Sequence, residues 1–301
     1  MKINTMWLSW LILALLAITW GSSFILIKYG LIYFTPEQVG TLRVVMAFLF
    51  LLPFALARTR RFKRADAGWL FLSGFIGYLV PSVLFAYAEQ VIDSAVAGIL
   101  NSMTPIFTLV VAMTFFKRKF GLINIIGVII GLIGALALMH SVNGGVMDVK
   151  IGYSLLIVLA TILYAFNVNI VKTKLSHLHS VDITSFSFLL IGPLALGYLF
   201  AFTPLELRMS LPGVEWGFLY VGILGVVGSA LALMLFNYLI KTTNVILSSS
   251  VTYLIPIVAT MAGIADGEPF KSHYFIWVAV ILTGVFLVNR KAGDRNPIRE
   301  D

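Results

Sequence analysis

Ten apolar runs follow one another along the chain, at 7–28, 38–57, 68–88, 94–115, 121–140, 151–171, 183–202, 215–239, 244–265 and 273–289. Each is close to the roughly 20 residues that an α-helix needs to cross a hydrocarbon core. Short polar breaks separate them, among them TPEQ at 35–38, RTRRFKRAD at 58–66, EQVID at 89–93 and DGEPFKSH at 266–273. The pattern predicts an all-α polytopic membrane protein of ten transmembrane helices. The first run follows a single lysine, lacks an evident A-x-A pattern and leads into further spans, so it is expected to remain as the first helix.

A second pattern lies on top of the first. Placing Pro105 over Pro256, an offset of 151, brings FAYAEQVIDSAVAGILNSMTPI (85–106) over FNYLIKTTNVILSSSVTYLIPI (236–257). Phe85 then meets Phe236, Tyr87 meets Tyr238, and the two Pro-Ile pairs coincide. At the start of each half, WGSSFILIK (20–28) lies over YAFNVNIVK (164–172), which pairs Trp20 with Tyr164, Ser23 with Asn167 and Lys28 with Lys172. Five spans is an odd number, so two such halves, 1–147 and 148–301, must be inverted in the membrane. Inverted repeats are a recurring architecture of secondary transporters, with the solute site near midplane where the repeats meet.

Polar side chains inside the spans are the candidate solute contacts, because such groups are costly in lipid unless they face protein or a wet cavity. Trp20 and Ser23 share one helix face, as do Tyr164 and Asn167. Tyr78 and Tyr87 mark the third span, Asn101 and Thr104 the fourth, Asn237 the eighth, and Ser248 and Thr252 the ninth. Arg43 lies about five residues inside its span, with Glu37, Glu89 or a substrate carboxylate as its expected partner. Helix–helix packing is the competing reading for the small polar residues. Lys28 and Lys172 stand at span ends, where a long side chain can snorkel to the interface. Pro105 and Pro256 remove one backbone hydrogen bond each and suit a kink or gate. Gly127 and Gly131 form a GxxxG that suits close helix packing, within the chain or in a homodimer.

Composition and charge narrow the function. Hydrophobic residues make up 60% and charged residues 11% of the 301, against about 25% charged in a soluble domain. Ten spans put both termini on one side, and 16 of the 21 Lys and Arg residues fall there, including Arg58, Arg60, Arg61, Lys63 and Arg64 in a single loop. By the positive-inside rule that side is the cytoplasm, as for a protein of a bacterial inner membrane. The basic residues sit in loops rather than on a basic helix interleaved with aromatics, so they do not point to a nucleic-acid partner. Cysteine is absent, which removes disulfides, thiolate metal sites and cysteine nucleophiles. No G-x-S-x-G or H-E-x-x-H is present, nothing asks for a cofactor or metal, and an enzyme is not expected. No Asp or Glu falls at the centre of a run and the four histidines sit at run ends, so a carboxylate proton relay is not expected, and exchange or uniport fits more easily.

In WGSSF (20–24), the arginine of TLRVVMAF (41–48), LNSMTPIFTLVVAMTFFKRKFG (100–121), GVIIGLIGALAL and a weaker second copy ending in ILTGVFLVNR (281–290), the chain resembles the drug/metabolite transporter superfamily, in particular its EamA-like ten-helix members. The likeness implies two inverted five-helix halves around a central cavity, with the fifth and tenth helices set apart from it. It also implies export of amino acids or other small metabolites, and it supports Trp20, Arg43 and the helices bearing Pro105 and Pro256. YAFNVN replaces WGSSF in the second copy, so the identity of the solute does not carry over. A non-transporting scaffold or receptor-like protein is the alternative.

Overall fold

The structure is a computed structural model and describes residues 2–117, 121–142, 149–242, 251–269 and 271–289. The helices are α1 Lys2–Tyr33, α2 Pro36–Ala57, α3 Arg64–Ala88, α4 Ser94–Thr114, α5 Leu122–Val142, α6 Val149–Lys174, α7 Ser180–Phe202, α8 Val214–Leu239, α9 Val251–Ala265 and α10 Tyr274–Asn289. Seven are long and apolar enough to cross a membrane by themselves, and three shorter apolar helices complete the set among the described residues. Large apolar side chains face outward along them, as in Phe202 (76% exposed) and Leu122 (74%), which only a lipid surround can solvate.

The breaks close for local reasons. Between α1 and α2, the Thr35 hydroxyl accepts from Gln38 N at 3.4 Å, and the Gln38 side chain accepts from Thr35 N at 3.0 Å. This reciprocal capping box, with Pro36 as the first helical residue, starts α2 abruptly. The first helix itself runs to Tyr33, past the expected end at Lys28. IKYGLIY is apolar enough to continue the ladder, and Lys28 finds partners that make snorkelling unnecessary.

Two helices are not regular. Within α3, residues Phe75–Leu79 form a π-helical turn; within α8, residues Val226–Leu231 do the same. The turns begin at positions 75 and 226, which differ by 151, the offset that superposes Pro105 on Pro256. The same local irregularity thus recurs at one repeat position in two oppositely running helices. In α4 the helix breaks at Ser102 and Met103. Pro105 has no N–H for the carbonyl of Asn101, and the Thr104 hydroxyl donates to that carbonyl instead, at 2.8 Å.

Glycines set the closest helix approaches. A Cβ on Gly284 of α10 would lie 2.5 Å from Gly131 N, and one on Gly127 would lie 2.7 Å from Val288 N. The GxxxG of α5 is therefore spent on α10 of the same chain. In the other helices, Gly21 receives Val258 of α9, and Gly192 of α7 receives the Phe48 ring of α2. At the end of the bundle bearing the α2–α3 loop, Asp182 accepts ion pairs from Arg58 at 3.3 Å and Arg61 at 3.6 Å, which tie α7 to α2.

Candidate functional site

A cavity of about 410 Å³ lies between the two halves. Its described wall comes from α1, α2, α3, α4, α6, α7, α8 and α9 and the short segment after α6, and takes no residue from α5 or α10. Ten of the sequence-nominated residues meet there: Trp20, Ser23, Arg43 and Tyr78; Asn101 and Thr104; Tyr164 and Asn167; Asn237 and Thr252. Tyr87 is not among them. It lies at the end of α3 away from the α2–α3 loop, where its hydroxyl donates to Glu37, and this also occupies one of the partners expected for Arg43. Ser248 falls outside the described residues.

The π turns explain how the wall is built. In α8 the widened turn lets Ser229 Oγ donate to Leu224 O, five residues back, at 3.1 Å, and accept from Arg43 Nε at 2.8 Å. One residue earlier, the carbonyl of Gly228 accepts from Trp20 Nε1 at 3.0 Å, and the indole stands edge-on to Phe236 with ring centroids 5.1 Å apart. Ser23 Oγ lies 3.3 Å from where a Cβ on Gly228 would be, and the second half repeats that contact with Asn167, the residue paired with Ser23. Gly77, in the π turn of α3, stands 151 positions before Gly228 and receives Asn167, whose Nδ2 lies 2.1 Å from where a Cβ on Gly77 would be. Ser73 Oγ then donates to Asn167 Oδ1 at 2.7 Å, and Tyr78 stacks on Phe188 at 5.0 Å. So α1 leans on the glycine of α8, and α6 leans on the glycine of α3.

Most polar groups on this wall already have partners. Asn237 Nδ2 donates to Thr184 Oγ1 at 3.2 Å, and Ser23 Oγ donates to Thr19 O at 2.7 Å. Three groups face the cavity differently. Arg43 makes no ion pair among the described residues and uses only its Nε. The hydroxyl of Tyr164, whose ring lies 6.2 Å from that of Phe85, has no hydrogen-bond partner among them. Asn101 Oδ1 is buried without a partner.

The two ends of the cavity differ. Towards the α2–α3 loop side the wall extends to Val171, Lys172 and Ser176, where the last two are exposed. On the opposite side it stops at Ile27 and Phe85, beneath a charged cluster. There Lys28 Nζ lies 2.5 Å from Asp266 Oδ2 and 3.1 Å from Glu268 Oε1, and Tyr29 donates to Asp266. Glu268 in turn accepts from Ser94 N and Ala95 N at 3.2 Å each, so α1, α4 and the α9–α10 loop are joined. The hydrogen bonds from Lys28 and then Tyr29 hold the Asp266 carboxyl below its ordinary range. Glu89 sits beside this cluster, 7% exposed, with neither carboxylate oxygen partnered. Burial, and after it the neighbouring Glu268, push its carboxyl well above the ordinary value. The sequence offered Glu89 as a partner for Arg43, but no ion pair joins the two among the described residues; the burial of Glu89 is a tertiary feature that hydropathy does not report. Gly77, Gly228, Ser229 and Ser73 were also missed, although the shared offset of the two glycines was a usable signal. Among the described residues, no three His, Asp or Glu side chains gather as a metal site.

The sequence profile of the EamA-like transporter family matches residues 7–139 and, separately, residues 151–290. An uncharacterized transporter of Archaeoglobus fulgidus is 26% identical over 284 residues, spanning 94% of this chain and 99% of that protein. The uncharacterized inner membrane transporter YedA of Escherichia coli is 27% identical over 282 residues, 91% of this chain and 88% of its own. A crystal structure 17% identical in sequence covers 93% of this chain and 95% of its own with a TM-score of 0.65, a likeness of fold.

Proposed function

This chain belongs to the EamA-like transporter family, and from that premise we propose that it is a secondary carrier that exports amino acids or related small metabolites by alternating access through the central cavity. One observation carries the reading: a cavity walled by corresponding positions of both halves, Ser23 against Gly228 and Asn167 against Gly77. In an inverted repeat such contacts exchange roles when one half rocks against the other, which is the motion alternating access requires. The difference between the ends supports the same reading. The cavity reaches exposed residues on one side and ends beneath the Lys28 cluster on the other. With the basic loops in the cytoplasm, this conformation is open inward and closed outward, and both termini are cytoplasmic.

The cycle then needs two local events. The Lys28 bonds to Asp266 and Glu268 break, which frees α1 from the α9–α10 loop. The π turns of α3 and α8 and the break at Pro105 supply weak points where helices bend without losing a full set of backbone bonds. The test is mass-spectrometric efflux from proteoliposomes loaded with a mixed pool of amino acids and metabolites, comparing wild type with a Trp20→Ala, Asn167→Ala double variant. Selective loss of one solute class, abolished in a variant that keeps its helicity and elution volume, is the expected result. Equal retention of every solute by correctly inserted wild type would overturn the carrier reading.

A further inference from the structure

We infer that the cavity is built for a small organic monoanion, whose carboxylate is taken between the Arg43 guanidinium and the Tyr164 hydroxyl while an apolar body lies against Trp20, Phe85 and Phe236. The inference rests on the carrier reading and narrows its solute class, away from zwitterions.

Among the described residues that line the cavity, the charged ones are Arg43 and Lys172, both cationic, and none is Asp, Glu or His. A buried charge is costly unless it is paired, yet no carboxylate of the described residues lies within ion-pair distance of Arg43. Its Nε is committed to Ser229, which fixes the plane of the guanidinium and leaves the Nη groups. Those present parallel N–H donors in a rigid fork, a geometry that suits a planar carboxylate. Tyr164 adds a donor from the other half of the chain. Its hydroxyl is unpartnered among the described residues, and it interacts electrostatically with Arg43. An anion held by both would bridge α2 and α6, one helix from each half, and so would bind most tightly when the halves close on it.

The rest of the wall does not suit a second charge. Trp20 and Phe236 stand edge to face and Phe85 stacks on Tyr164, which leaves flat apolar surfaces. Asn101 Oδ1 is the buried acceptor without a partner. It can take a hydroxyl or amide N–H of the solute, but being neutral it does not offset the desolvation of an ammonium. A zwitterion would bring an ammonium that finds no anionic partner on the described wall, whereas a monoanion pairs Arg43 and brings no second charge.

The test uses the full-length protein in lipid nanodiscs and four matched probes: 3-phenylpropionate, phenylalanine, phenethylamine and 3-phenylpropanol. Binding is measured by calorimetry, and counterflow of the same probes is measured in proteoliposomes. The expected order places 3-phenylpropionate at least about tenfold tighter than phenylalanine, the scale of one charge-assisted hydrogen-bond set, with phenethylamine weakest. Arg43→Gln should abolish the preference for the acid over the alcohol, while Arg43→Lys retains part of it because charge remains without the fork. Tyr164→Phe should weaken the acid and leave the alcohol unchanged, a split that mere loss of packing would not produce. Phenylalanine or phenethylamine binding as tightly as the acid, an unchanged preference in folded Arg43→Gln, or no binding of any probe would each overturn the inference. Binding of the acid without counterflow would sink the carrier reading and leave the anion site standing; counterflow without preference for the acid would do the reverse.

Discussion

At Gly77 a single hydrogen stands where any side chain would collide with Asn167, since a Cβ would lie 2.1 Å from its Nδ2 and 2.4 Å from its Cγ. Gly77→Ala should therefore destabilise the protein by about 1–3 kcal/mol, the range for overpacking a closed site. Gly222→Ala, where nothing lies within 4 Å, should be neutral or stabilising, because alanine is the better helix former by about 1 kcal/mol. Thermal unfolding of the two variants side by side checks the contrast; equal melting points would contradict it. Glu89 makes the second residue-scale prediction. Its unpartnered carboxyl lies near Glu268 of the α9–α10 loop, Lys28 of α1, Arg43 of α2 and Ser94 at the start of α4. When the outer end opens, water returns the group towards its ordinary value near 4.5; when closed, it holds its proton to higher pH. The closed form thus carries the extra proton between the two values, and raising the pH through that window shifts the balance towards the open form. The chain has no cysteine, so a single Ile27→Cys, beneath the cluster, reports opening by its labelling with an impermeant thiol reagent from outside. Labelling should rise with outer pH, and Glu89→Gln should remove the dependence. A flat profile in the Glu89 parent would refute the assignment.

Elements fail or hold by how they are tied. α5 and α10 touch backbone to backbone at Gly131 and Gly284 and give nothing to the described cavity wall. Gly284→Leu should lower stability and yield while leaving the order of solute preference unchanged; a changed preference would mean that this pair shapes the cavity after all. α1 is held at the end away from the α2–α3 loop by Lys28. Because that side chain is 39% exposed, its bonds resemble a partly screened surface pair, worth on the order of 1 kcal/mol. Lys28→Gln should accordingly leave the melting temperature nearly unchanged and raise external labelling at Ile27→Cys. The elements were largely legible in the sequence, because lipid imposes a length and an apolar character that hydropathy reads directly: α2, α3, α4 and α7 end within a residue or two of the expected bounds. The π turns were not. FIGYL and VVGSAL contain no residue whose propensity calls for the turn, and only the coincidence of Gly77 and Gly228 under one offset marks them.

Over the whole molecule, the site was legible to the extent that it follows repeat symmetry. Trp20 and Tyr164, with Ser23 and Asn167, were nominated because each half supports the other, and the structure brings all four to one cavity. What escaped was whatever depends on long-range closure. Lys28 meets acids more than 230 positions away, Glu89 is buried by a neighbouring loop, and Arg43 is anchored by a serine in a turn that pattern alone does not reveal. Arg43 lines the cavity while Lys28 and Glu89 lie in the cluster at its closed end, so solute charge, closure and pH meet in one region. The most direct test of that account locks the closure. In the cysteine-free chain, Lys28→Cys with Glu268→Cys is bridged by a short bifunctional thiol reagent that a reductant cleaves. Solute flux in proteoliposomes should fall to the protein-free level on bridging and return on reduction. Undiminished flux through quantitatively bridged protein would show that the outer end need not open, and would contradict alternating access through this cavity.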